Sequence, residues 1–324
     1  MTEQSRILDM LSEGKITADE AERLLALLVT PATNRATADS TTGAGRPEVE
    51  RVTVRVQPDR TAVRDGSRDD SFAVGQSPTL VVTSHNGRVA VRAGAENTIR
   101  VRAKLKNPSR VDYQVGQEGD AVTVYARQKG KSSLIDLFGQ GGRADIEVTA
   151  PKSTEVRIKS TNGRVELHGI EASGTLHTSN GRIVVGGAKG EYDAETSNGR
   201  IELRAVEGSG ALRTSNGKIT MDSVKGEFSA ATSNGSISFE GEMTPGGKNR
   251  LTTTNGSVTV KLRGTPSLEV DAAASMGKVS SALPVLMRSA QDERDPRGTS
   301  LLGTIGDGEA ELLVRTTNGS VSIE

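Results

Sequence analysis

One dipeptide constrains this chain more than any other feature. Asn-Gly recurs at Asn86, Asn162, Asn180, Asn198, Asn216, Asn234, Asn255 and Asn318, and the five from Asn162 to Asn234 are spaced 18, 18, 18 and 18. The next gap is 21 residues; a degenerate copy, Ser275-Met276-Gly277-Lys278-Val279, lies 21 further on, and Asn318 lies 42 beyond Met276. Self-similarity at a fixed period marks a repeat architecture.

The repeat reads position by position. Two residues before each Asn stands Thr178, Thr196, Thr214 or Thr232, and four before stands Leu176, Ala194, Leu212 or Ala230. Three after stands Ile183, Ile201, Ile219 or Ile237, and five after Val185, Leu203, Met221 or Phe239. A period of 2 on each side of the Asn-Gly makes each side a strand with one buried face. A second glycine, at 190, 208 and 226, falls ten residues after each Asn, so one unit is two short strands and two turns. Two arrangements fit: a meander of Asn-Gly hairpins, or a β-solenoid whose equivalent strands stack in parallel. The solenoid is preferred, because stacking each residue on its own copy about 4.8 Å away rewards identical Thr and Asn across copies. The tight turn also predicts a left-handed backbone at Asn198.

Composition agrees with many short strands around a thin core. Glycine is 37 of 324 residues, and aromatics are only four Phe and three Tyr, with no Trp. That is poor material for a carbohydrate groove or a base-stacking platform. Lys plus Arg and Asp plus Glu are both 41, which argues against a general nucleic-acid binder. With no cysteine, disulfides and thiolate chemistry are excluded.

Three segments are predicted. Residues 1–30 read as a helical hairpin, with Ile7, Leu8 and Leu11, then Leu24, Leu25, Leu27 and Leu28, at helical spacing, and Thr17-Ala18-Asp19-Glu20 as a capping box. Two helices so short need a partner, so self-association or docking through 1–30 is expected. Residues 31–47 read as a flexible linker, and 48–324 as the β-solenoid. The N-terminus has no basic region followed by an apolar one, so no signal peptide is expected. No apolar run is long enough for a transmembrane helix. The expected location is cytoplasmic or peripherally envelope-associated.

The search for catalytic chemistry is mostly negative. Gly130-Lys131-Ser132 has Tyr125 where a phosphate-binding loop needs glycine, and no G-x-S-x-G occurs. His85, His168 and His177 do not form a metal-binding pattern. No catalytic residue, cofactor or metal is predicted, and no nucleic-acid partner. The candidate site is a basic stripe, two residues after successive Asn positions: Arg164, Arg182, Arg200 and Lys218, with Arg88 and Lys278 at equivalent places and Ser at 236, 257 and 320. In a solenoid these residues form a ladder of like charges, a track for an anionic polymer or anionic lipid headgroups. The opposing reading is a solvated mixed-charge face, with Glu166 beside Arg164 and Glu202 beside Arg200. Two segments break the pattern: an apolar burst, Ser132 to Gly139, expected to cover a sheet edge, and residues 283–300, expected as an exposed polar loop between the last coils.

The T-S-N-G-[RK]-I repeats and the ending Gly303-Thr304-Ile305-Gly306-Asp307-Gly308 … Thr316-Thr317-Asn318-Gly319-Ser320-Val321-Ser322-Ile323 resemble the DUF4097 candidate-adhesin β-repeat family. The opening Ile7-Leu8-Asp9-Met10-Leu11 … Gly14-Lys15-Ile16-Thr17 … Glu20-Ala21-Glu22-Arg23-Leu24-Leu25 resembles a SHOCT-like helical domain. LiaX-type envelope-stress proteins of Gram-positive bacteria share this order. The resemblance implies a β-solenoid, a role at the cell envelope or in self-assembly, and no catalytic residues. The expected function is non-enzymatic binding or scaffolding. Two alternatives stay open: a polysaccharide-active β-helix enzyme, by fold analogy, and a self-polymerising structural subunit.

Overall fold

The computed structural model describes residues 66–129, 141–287 and 299–324. The expected hairpin 1–30, the linker 31–47, the chain from 48 to 65, the burst Ser132 to Gly139 and the charged run Asp292 to Arg297 lie outside the described residues.

Each unit is one coil. Lys189–Thr196 runs along a first wall, the chain turns at Asn198-Gly199, Ile201–Arg204 runs along a second wall, and Glu207–Thr214 starts the next coil. Pairing between coils is parallel and in repeat register: Leu176 faces Ala194, Thr178 faces Thr196, and Ile183 faces Ile201. The chain is therefore a solenoid and not a meander. The alternation of the repeat puts Ile183, Ile201, Ile219 and Ile237 inside, stacked beside Val185, Leu203, Met221 and Phe239, all at most 1% exposed. These columns carry the hydrophobic stabilisation of a fold whose contacts lie between neighbouring coils. The second corner, seven residues after Asn, is left-handed at Gly169, Gly187, Ala205 and Ser223.

Coil order departs from chain order at both ends. In stack order the first-wall strands are Ala121–Gln128, Thr79–Asn86, Glu155–Asn162, Gly174–Thr178, Lys189–Thr196, Glu207–Thr214, the second half of Ile219–Asn234, Lys248–Asn255, Ala310–Asn318 and Leu268–Met276. The second-wall strands follow the same order, so that Val321–Ile323 lies between Val258–Leu262 and Val279–Ser281. The coil at 310–323 thus lies beneath the one at 268–281, and the coil at 79–93 lies on top of one built from 121–128 and 143–150.

Antiparallel strands then cover the outer coils. Val111–Glu118 pairs with Ala121–Gln128, and Thr98–Lys106 pairs with Arg143–Ala150 on one side and Ser67–Ala73 on the other. At the other end Thr299–Ile305 pairs with Leu268–Met276 and carries Leu286–Met287. The described parts of 283–300, expected as a loop, therefore supply edge strands. Covering strands satisfy backbone groups that an open solenoid end would expose.

The candidate site: a corner ladder and a basic column

Three columns build the Asn-Gly corner. Each Asn side chain donates an amide hydrogen to the Asn one coil below: Asn162 to Asn86 at 3.0 Å, Asn180 to Asn162 and Asn198 to Asn180 at 2.9 Å, Asn216 to Asn198 at 2.8 Å, Asn234 to Asn216 at 2.9 Å, Asn255 to Asn234 at 2.8 Å and Asn318 to Asn255 at 2.7 Å. Met276 replaces the Asn on the outermost coil and faces Asn318. The glycine after each Asn leaves room for backbone: a Cβ on Gly199 would stand 1.8 Å from the Gly181 carbonyl oxygen. That same carbonyl accepts a hydrogen bond from the Thr196 hydroxyl at 3.1 Å, as the Gly199 carbonyl does from Thr214 at 3.0 Å.

The left-handed backbone expected at Asn198 is not found. Among the described residues the left-handed non-glycine positions are Asn97, Asn107, Ala205 and Ser223. Asparagine is required at the corner by its amide, which both donates and accepts along the stack, and glycine by the close approach of the coil below.

Two residues beyond the ladder, the basic stripe is one continuous column. Val89 N–H donates to the Arg164 carbonyl, Val165 to Arg182, Ile183 to Arg200, Ile201 to Lys218 and Ile219 to Ser236, at 2.8–3.1 Å. Arg88, Arg164, Arg182, Arg200 and Lys218 therefore stand in succession. The lower part is neutralised from within the wall. Arg88 and Arg164 both bond Glu166, Arg164 at 2.6 Å, and Arg182 and Arg204 both bond Glu202, Arg204 at 3.1 Å. Glu202 was expected beside Arg200; it pairs instead with the arginine one coil below and the one two residues on. Glu166 and Glu202 are 4% and 8% exposed, which places them beneath the guanidinium groups. Burial opposes ionisation of Glu166, but the Arg88 hydrogen bond and charge, with Arg164, hold its carboxyl below the usual range. Arg200 and Lys218 are exposed and form no ion pair among the described residues.

A second charged column, which the sequence reading missed, has the opposite design. Lys189, Glu207, Lys225 and Glu242 are in register and alternate in sign. Lys189 bonds Glu207 at 2.9 Å, Lys225 bonds Glu242 at 3.2 Å, and Lys152 bonds Glu171 at 3.1 Å. The signal was present in the sequence as a sign change every 18 residues from Glu171 through Lys189 and Glu207 to Lys225, nine after successive Asn, with Glu242 following 17 later.

The histidines are dispersed. His177 lies 3.6 Å from Glu195 on the first wall, and burial lowers the His168 pKa. Among the described residues no three His, Asp or Glu are grouped as metal ligands, and no helix is long and apolar enough to cross a membrane. A cleft of about 210 Å³ near one end, lined by Glu242, Met243, Arg263, Pro266 and Glu309, is smaller than typical small-molecule sites.

The chain belongs to the Toastrack DUF4097 family, whose profile matches residues 78–324. A SHOCT-like domain profile matches residues 2–30. No curated protein matches the chain. Solved structures similar to it include a candidate lipid-binding protein from Parabacteroides distasonis (12% identity, 81% of this chain and 98% of that one, TM-score 0.42). They also include a candidate adhesin from Bacteroides fragilis (10% identity, 80% and 97%, TM-score 0.41) and another from Parabacteroides distasonis (12%, 80% and 97%, TM-score 0.39).

Proposed function

We propose that this protein is a non-enzymatic binding scaffold, adhesin-like in role, which engages anionic groups at the bacterial cell envelope through the basic column on its second wall. The observation that carries this reading is the contrast between its two charged columns. Like charges stacked at the strand spacing, about 4.8 Å, destabilise a sheet, and opposite charges do not. After Asn162, Asn180, Asn198 and Asn216 the solenoid alternates sign at the ninth residue (Glu171, Lys189, Glu207, Lys225) and keeps one sign at the second (Arg164, Arg182, Arg200, Lys218). Glu166 and Glu202 offset that cost for Arg88, Arg164 and Arg182. The neighbouring cations Arg200 and Lys218, with no carboxylate partner among the described residues, are accounted for by an anionic ligand.

The SHOCT-like match followed by the Toastrack repeats has the order of LiaX-type envelope-stress proteins. Peripheral association with the envelope fits a binder with an anionic target, and residues 1–30 provide the self-association or docking module. The covering strands at both ends of the stack weigh against growth into a polymer by coil-on-coil addition.

The test is co-sedimentation with anionic and neutral vesicles and with an insoluble anionic cell-wall polymer. The proteins are wild type and the variant Arg164→Ser, Arg182→Ser, Arg200→Ser, Lys218→Ser. Wild type should pellet with the anionic targets alone, and the association should vanish at high salt. The variant should stay in the supernatant. Equal pelleting of the two proteins would reduce the column to a solvated face.

A further inference from the structure

Past Lys218 the basic column changes chemistry without leaving its line. Ile237 N–H donates to the Ser257 carbonyl, Val258 to Ser320 and Val321 to Lys278, at 2.8–3.0 Å, so the column continues as Ser236, Ser257, Ser320 and Lys278. The next outward column on the same wall reads Thr220, Ser238, Thr259, Ser322 and Ser280 in parallel register. This half of the wall is therefore a flat, hydroxyl-lined strip with a lysine at each end. Four strand spacings separate Lys218 from Lys278, about 19 Å. The far margin is mixed in sign and largely paired: Asp222, Glu240 and Lys261 are in register, Glu240 is bonded to Arg263, and Lys261 to Glu324. The cations without an ion pair among the described residues, Arg200, Lys218 and Lys278, all stand on the Asn side of the strip, which is where an anionic group is drawn.

We infer that this strip, from Arg200 and Lys218 to Lys278, docks an extended polyanion whose acid groups are separated by hydroxylated units, lying along the stack axis. The inference rests on the anion-binding reading above and names the ligand class. Arg200 and Lys218 hold one acid group and Lys278 another. Between them a hydroxyl surface offers both donors and acceptors to sugar or polyol hydroxyls. A hydroxyl strip presents no apolar side chains for insertion among acyl chains, which favours a polymer over a bilayer. Several weak contacts along one chain give useful avidity without a deep pocket.

The experiment measures binding of the full-length protein to poly(glycerol phosphate), to inorganic polyphosphate, to neutral dextran and to phosphatidylglycerol vesicles. The proteins are wild type, Lys278→Ser, Ser257→Glu and the fourfold variant above. Poly(glycerol phosphate) should bind best. Lys278→Ser should weaken it about fivefold, as expected for one cation at an anionic target. Ser257→Glu, which puts a carboxylate on an exposed point of the strip, should weaken it at least as much; its melting temperature is compared with wild type, because the Ser257 hydroxyl accepts the Ser320 N–H. If only the fourfold variant loses binding, the stripe reading survives and the strip is overturned. If vesicles bind and the polymers do not, the ligand is a membrane and the inference is wrong. If no variant changes affinity, both readings fail.

Discussion

Tyr192 occupies the space that Gly174 leaves open. A Cβ on Gly174 would stand 2.8 Å from the Tyr192 ring, and the ring sits fully buried with its hydroxyl donating to the Ile170 carbonyl at 2.7 Å. The pair belongs to a larger alternation. Six residues before successive Asn stand Gly174, Tyr192, Gly210 and Phe228; four before stand Leu176, Ala194, Leu212 and Ala230. A coil with a large residue at one position has a small one at the other, and its neighbours reverse the choice, so the stacked layers interdigitate.

Gly174→Val should therefore destabilise the protein by about 1–3 kcal/mol through overpacking against Tyr192. Chemical denaturation of the variant measures it. A Gly174→Val protein as stable as wild type would mean the ring is not held in that space.

Tyr192 also sets an alkaline limit. Burial pushes its phenol up to about 12. A folded-state pKa above the unfolded value near 10 means the native state holds the proton more tightly. The stability so gained is present below pH 10 and is lost as pH rises through 12. Tyr192→Phe should show a flatter loss of stability above pH 10 than wild type, at the cost of about 1 kcal/mol at neutral pH for the missing hydrogen bond. Parallel curves for the two proteins would contradict this.

The corner makes a sharper test. If a left-handed turn were the requirement, Asn198→Gly would be neutral or stabilising. The ladder predicts the opposite: Asn198→Gly breaks the bonds to Asn180 and Asn216 and costs about 1–2 kcal/mol. Gly199→Ala should cost more, because its Cβ cannot share space with the Gly181 carbonyl and backbone must move. Thermal melts of the two variants give the order.

Asn249 breaks the apolar pattern for a reason found only in three dimensions. It stands in the core, 2% exposed, six residues before Asn255, and its side-chain oxygen accepts the Phe228 N–H at 2.9 Å. This coil has 21 residues instead of 18, and the side chain supplies an acceptor within the irregular stretch. Asn249→Leu, apolar and of similar size, should destabilise by about 1–3 kcal/mol by leaving that N–H unpaired. A neutral or stabilising result in urea unfolding would refute it.

Much of this was legible in the chain. The 18-residue spacing gave the strands, corners and parallel register, because stacking repeats every position with the sequence period. The cation column was legible for the same reason. Coil order was not. Where non-repeat strands intervene, each coil's own pattern says nothing about which neighbour it meets, so the position of Asn318 between Asn255 and Met276 could not be read from spacing. Met276 itself was the available clue: an outermost coil has no further Asn to serve. The division of the cations into paired and unpaired was hidden too. Glu202 stands two residues after Arg200 in sequence, yet Arg182 from the coil below and Arg204 from its own strand reach it instead.

That division is the central claim, and one comparison tests it: the affinity for poly(glycerol phosphate) of Arg200→Ser, Lys218→Ser against that of Arg164→Ser, Arg182→Ser. The two proteins have the same net charge. With about 1 kcal/mol for each cation free to meet an anion, the account predicts at least about a tenfold loss in the first and a much smaller change in the second, whose arginines already serve Glu166 and Glu202. Equal losses would show that the buried carboxylates do not silence the lower column, and would contradict the account.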